Sequence, residues 1–187
     1  MNILNDIIDL IEESADNDKR PYRKRVEVLI RDKQTNEVLL IKIPPYPGIS
    51  NRIYYGFPGG GVEEGDSVMK TAKIECLEEV GLEVNNIKQI KSKPFIFEWK
   101  GMGHREGGKY AERAKKFRGA ITLYYTADLV GEDKSLYGND GDSAKFVFHT
   151  IDKAIQIMER QIKRFEREHP MVIPIYEHRL GALKALV

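Results

Sequence analysis

Three consecutive glycines open directly onto a helix-length segment carrying three glutamates, and few folds accommodate such a junction. Residues 58–66 read PGGGVEEGD, turn chemistry throughout. Residues 67–80 then read as a helix, with Ser67 placed to cap its start and Gly81 to close its end. Gly59, Gly60 and Gly61 allow backbone conformations and close approaches that side chains would block. On that helix Glu75, Glu78 and Glu79 occupy positions i, i+3 and i+4, which share a face. Three carboxylates so placed repel one another unless a cation neutralises them, the ordinary alternative being a solvated acidic face. Oxygen ligands on a rigid scaffold suit hard cations, chiefly Mg²⁺ and Mn²⁺. Such ions polarise phosphoryl oxygens and activate water, so the junction points to metal-dependent phosphate chemistry.

The flanks read as strands with a few helices. Arg23 to Arg31 alternates in part and is rich in Val, Leu and Ile; a DKQTNE turn over 32–37 joins it to the apolar run 38–43, making a hairpin. Pro44, Pro45, Pro47 and Gly48 force a loop before a short aromatic strand at 53–57. Further strands are expected near 82–90, 94–99, 119–129 and 146–149. Ile155, Met158, Ile162 and Phe165 follow Ile151 at helical spacing, while the tail after Pro170 is mixed, with a short helix expected at its end. Many antiparallel-looking strands with few helices indicate α+β rather than repeated βαβ units. Ile3, Ile7, Leu10 and Ile11 give residues 3–14 an amphipathic helical pattern, read as a packing element or a homodimer contact. The domain reading is an N-terminal helix and linker over 1–21, then one domain over 22–187 with a basic insertion at 100–118.

The glycine–glutamate segment resembles the box of the Nudix hydrolase family. That box runs Gly, five residues, Glu, seven residues, then Arg-Glu-apolar-any-Glu-Glu-any-Gly-apolar. Here the register is Gly60, then GVEEG, Asp66, SVMKTAK, Ile74, Glu75, Cys76, Leu77, Glu78, Glu79, Val80, Gly81 and Leu82, after a Phe57-Pro58-Gly59 lead-in. The resemblance implies an α/β/α sandwich with a mixed sheet. It also implies hydrolysis of a pyrophosphate bond in a nucleoside diphosphate linked to another group. By the same resemblance Glu75, Glu78 and Glu79 are the catalytic carboxylates and hold Mg²⁺ or Mn²⁺, with the Gly60 carbonyl as an added metal ligand. Glu75 is one candidate base. Asp140 or Asp142 in a later loop is another, although ordinary turn aspartates are the preferred reading there. Two positions depart from the pattern. Asp66 is a shorter carboxylate, and Ile74 replaces an arginine that helps orient the glutamates, a role an alkyl chain cannot take.

Residues 100–118 hold seven Lys/Arg against two acids, a formal +5 within a chain whose total is +1. They read as a flexible basic loop that is either solvated or a flap over phosphates, which makes Arg105 and Lys109, with Asp142, substrate-binding candidates. Tyr55 is the best candidate for stacking on a base. The sequence 103–109 mimics a phosphate loop, but Tyr110 stands where a Ser or Thr hydroxyl is needed. Near-neutral total charge excludes nucleic-acid or membrane binding through bulk charge. The lone Cys76 excludes an internal disulfide and reads as buried packing. With no acid-free apolar leader and no stretch of about 20 apolar residues, a cytoplasmic protein without membrane partners is expected. The alternatives to a small nucleotide substrate are removal of 5′ caps or pyrophosphate from RNA, which is not favoured, and a non-catalytic nucleotide-binding or sensing module disabled by Ile74.

Overall fold

A computed structural model describes residues 19–44, 52–98, 109–138, 144–168 and 170–187. The expected helix at 3–14 lies outside these residues. The chain forms two compact units, one of residues 1–24 and 96–121, the other of 25–95 and 122–187.

In the larger unit, β1 (Tyr22–Asp32) and β2 (Glu37–Ile43) form the expected hairpin, with Arg31 opposite Val38 and Asp32 opposite Glu37. The turn holds itself together. Asp32 Oδ1 accepts from the Gln34 N–H at 2.8 Å, and Asn36 takes a left-handed φ of 57°, a conformation Asn tolerates. Five consecutive residues of β1, Val26 to Ile30, are buried, as are Val38 to Ile41 of β2. Neighbouring residues on a strand face opposite sides, so an unbroken buried run means both faces of the sheet are covered. β7 (Lys145–Thr150) pairs antiparallel with β2 along Glu37–Lys42. The other edge of β2 is therefore shared by β1 and by β3 (Tyr54–Gly56), which pairs with Ile41–Ile43. The strand order is β3-β2-β1-β6-β4, where β4 is Leu82–Gln89 and β6 is Gly119–Glu132.

Helix α1 (Val68–Glu75) begins as read from sequence: Ser67 Oγ accepts from the Lys70 N–H at 3.1 Å. It continues as a π-helical turn over Cys76–Val80, which no feature of the sequence announces. Gly81, at a left-handed φ of 66°, closes that turn by donating to the carbonyls of Cys76 and Leu77. Cys76 is fully buried, and burial, reinforced by Glu79 and Glu75, pushes its thiol well above its ordinary value. α3 (Ile151–Glu168) packs on β2, β3, β7 and α4 (Ile173–Lys184) through Ala154, Met158, Gln161 and Phe165. α4 is longer than the short terminal helix expected. Its first turn holds Pro174, whose missing N–H costs nothing there, and it buries Tyr176, Arg179, Ala182 and Leu183.

In the smaller unit, β5 (Phe95–Glu98) pairs with β6. The Tyr22 hydroxyl donates to Glu98, Arg20 donates to the Ala114 carbonyl, and the Arg118 guanidinium lies 4.2 Å above the Tyr22 ring. Burial and Glu98 push the Tyr22 hydroxyl up to about 12. The basic segment is not loop throughout: Lys109–Lys116 forms helix α2. Lys, Arg, Ala and Glu are strong helix formers, and a Glu112–Lys115 ion pair of 2.6 Å supports the turn, so composition favours helix once the glycines at 107–108 are passed.

Candidate active site at the glycine turn

The glycine turn is sewn to β1. Val28 N–H donates to the Pro58 carbonyl at 2.8 Å and Val26 N–H to the Gly60 carbonyl at 2.9 Å, while Arg25 and Gly61 form an antiparallel bridge. No side chain fits at two of these positions. A methyl on Gly59 would lie 2.8 Å from Glu27 Cα and closer still to the Val26 carbonyl oxygen. A methyl on Gly60 would fall within the Glu75 carboxylate. Close approach, rather than a left-handed backbone, is what these two glycines provide: the positive-φ glycines among the described residues are Gly65, Gly81 and Gly138.

Two of the three glutamates meet this turn. Glu75 fills the space over Gly60, and Glu79 Oε2 accepts from the Gly59 N–H at 2.9 Å. Glu78 and Glu79 also engage through their backbones: the Glu78 carbonyl accepts from Gly138 N–H at 2.9 Å and the Glu79 carbonyl from Ala144 N–H at 2.7 Å. Glu79 is pushed up to about 8, first by burial, then by Glu75 and Glu27, with the Gly59 N–H and Arg25 opposing. Among the described residues no three His, Cys, Asp or Glu side chains stand close enough together to cage a metal ion. Glu75 and Glu79 nevertheless fit a hard cation. Both are carboxylates drawn to one turn, and Glu79 needs added positive charge to ionise at neutral pH. The Gly60 carbonyl already accepts one hydrogen bond and has a second lone pair to offer.

The titration of Glu79 gives a first expected result. Its folded value of about 8 exceeds the ordinary 4.5, so the unfolded chain loses the proton first. The contribution is present below about pH 4.5 and is lost as pH rises towards 8. The unfolding free energy of the metal-free protein is expected to fall between pH 5 and 8 by about 3 kcal/mol more in the native chain than in Glu79→Gln, read from denaturation at each pH. Equal pH slopes for the two proteins would contradict the burial assigned to Glu79.

The other candidates separate. Asp66 is engaged by Lys70 Nζ at 2.6 Å on the outside of the first helical turn. Tyr55 is half-buried, its backbone N–H donating to Gln161 Oε1 at 2.7 Å. Lys109 opens α2; Arg105, Asp140 and Asp142 lie outside the described residues. Sequence reasoning missed three charged residues around the turn. Glu27, 5% exposed, is gripped by Arg179, whose Nε donates to Oε2 at 2.8 Å and Nη2 to Oε1 at 2.6 Å. Burial alone would lower the Arg179 guanidinium, but Glu27 raises it further, so Arg179 keeps its charge. Arg25, with its Nε buried and unbonded, contributes positive charge towards Glu79 where Ile74 contributes none. One signal existed: Glu27 interrupts the apolar run VEVLI, and a carboxylate inside a buried strand calls for a partner.

The family model described as NUDIX domain matches residues 21–170. A solved structure described as a NUDIX hydrolase from Nitrosomonas europaea aligns at a TM-score of 0.52 and 15% identity, covering 88% of each chain. Another, described as an ADP compounds hydrolase, aligns at 0.55 and 17% identity, covering 90% of this chain and 72% of that one. At such identities these likenesses speak for the fold, an α+β arrangement of mixed sheet and helices. No curated protein matches the chain. No helix among the described residues is long and apolar enough to cross a membrane.

Proposed function

Since the chain belongs to the NUDIX domain family, we propose that it is a metal-dependent hydrolase that cleaves the pyrophosphate bond of a small nucleoside diphosphate derivative. The observation that carries this reading is the convergence of Glu75 and Glu79 on the Gly59–Gly60 turn, with the Gly59 N–H holding Glu79. A bound Mg²⁺ or Mn²⁺ would supply charge neutralisation at the phosphates and an activated water. Glu75 and Glu79, with Glu78 one position before Glu79, are the residues that would hold it. The turn that meets these carboxylates is itself seated on β1, where the N–H groups of Val26 and Val28 fix the Gly60 and Pro58 carbonyls. The name of the second structural neighbour, an ADP compounds hydrolase, agrees with a nucleoside diphosphate as one half of the substrate.

The test is release of nucleotide or phosphate from a panel of nucleotide sugars, dinucleotides, nucleoside triphosphates and NAD-capped or 5′-triphosphate RNA, with Mg²⁺ and with Mn²⁺. Turnover of a small diphosphate compound, abolished by chelation, is expected. Tight nucleotide binding with no turnover of any substrate, and none gained by Ile74→Arg, would mean a binding module instead.

A further inference from the structure

The residues matched by the family model end at 170, yet α4, which begins at Ile173, places an arginine behind the glycine turn. Arg179 meets Glu27 in a two-bond ion pair, both partners less than a tenth exposed. Gly56 makes room for it, since a methyl there would lie 3.1 Å from the guanidinium. An ion pair this deep is a poor device for stability alone, because packed apolar side chains of similar volume hold a core as well or better. Its location gives it another use. Glu27 lies between Val26 and Val28, the residues whose N–H groups hold the Gly60 and Pro58 carbonyls. Gly59 sits against the Glu27 backbone itself, and its N–H holds Glu79.

We propose that Arg179 is a positioning residue for the carboxylate site: by gripping Glu27 it fixes the stretch of β1 on which Gly59 is seated, and so fixes the N–H that aims Glu79. The chain of contacts runs from helix α4 to strand, from strand to turn, and from turn to carboxylate. It needs no contact between Arg179 and substrate. The inference rests on the functional reading above in treating Glu79 as a working carboxylate.

The experiment compares the native chain with Arg179→Met and Arg179→Lys, by Mn²⁺ binding in electron paramagnetic resonance, steady-state kinetics on the hydrolysed compound, thermal melting, and the Gly59 amide signal of the metal-free protein. Arg179→Met is expected to weaken Mn²⁺ binding and lower kcat by about tenfold each, with KM changed less than about threefold, and to shift the Gly59 amide. Arg179→Lys keeps the charge but only one of the two bonds, and is expected to recover part of each loss. A folded Arg179→Met that melts lower yet keeps native Mn²⁺ affinity, kcat and Gly59 signal would overturn the proposal, leaving the pair a packing feature. Should Arg179→Met not fold, native values in Arg179→Lys for Mn²⁺ affinity, kcat and the Gly59 signal together overturn it, and losses in all three support it. Should the native chain neither bind Mn²⁺ nor hydrolyse anything, it is the functional reading that fails, and the Gly59 amide alone then decides whether Arg179 sets the turn.

Discussion

Glu79→Gln is expected to lower metal-dependent turnover about 1,000-fold, ~4 kcal/mol on the barrier, while leaving the fold intact. The two effects part because Glu79 has two separable roles. Its Oε2 accepts the Gly59 N–H, a bond that a glutamine oxygen can also accept. Its negative charge, which burial and the neighbouring Glu75 and Glu27 disfavour, has no use in holding the fold. The metal-free variant should therefore melt at or above the native temperature at pH 8 while being nearly inert. Rates measured with Mg²⁺ alongside melts in chelator decide the matter. Activity within tenfold of native would remove Glu79 from the centre of the site.

The two glycines of the turn should fail in different ways. Gly59→Ala drives a methyl into the β1 backbone, at 2.8 Å from Glu27 Cα, and neither chain can move without breaking the bonds at Val26 and Val28. A cost of about 3 kcal/mol is expected, lowering the melting temperature by about 6–12 °C. Gly60→Ala drives its methyl into the Glu75 carboxylate, the far end of a side chain that can swing away. Stability should change by less than about 1 kcal/mol, but Glu75 leaves its place and turnover should fall about 100-fold. Parallel denaturation and kinetics on the two variants test this. If Gly60→Ala keeps native turnover, Glu75 does not work from the position described.

These contrasts mark where the sequence was readable. The cap at Ser67, the stop at Gly81, the hairpin around Asn36 and the helix after Ile151 are local events, each set by residues within a few positions. The glycine–glutamate register likewise lies in one continuous stretch, so its resemblance to a known box could be quoted directly. The Glu27–Arg179 pair could not be read this way: its members are 152 positions apart, and burying two charges runs against the usual preference of both residue types. The π turn at Cys76–Val80 was equally hidden, since its residues are ordinary helix formers and the choice between hydrogen-bond patterns is made by the surroundings. Three glycines in a row suggested unusual backbone angles. The structure assigns Gly59 and Gly60 a different need, the room to lie against a strand and a carboxylate.

The carbonyls of Glu78 and Glu79 carry a consequence for how such a site can diversify. They receive the N–H groups of Gly138 and Ala144, so two positions six apart in the sequence are tied to consecutive peptide groups of the carboxylate helix. Both anchors are backbone to backbone and do not depend on which side chains lie between them. Sequence change between the two anchors therefore leaves the backbone of the helical turn that carries Glu78 and Glu79 held at both points.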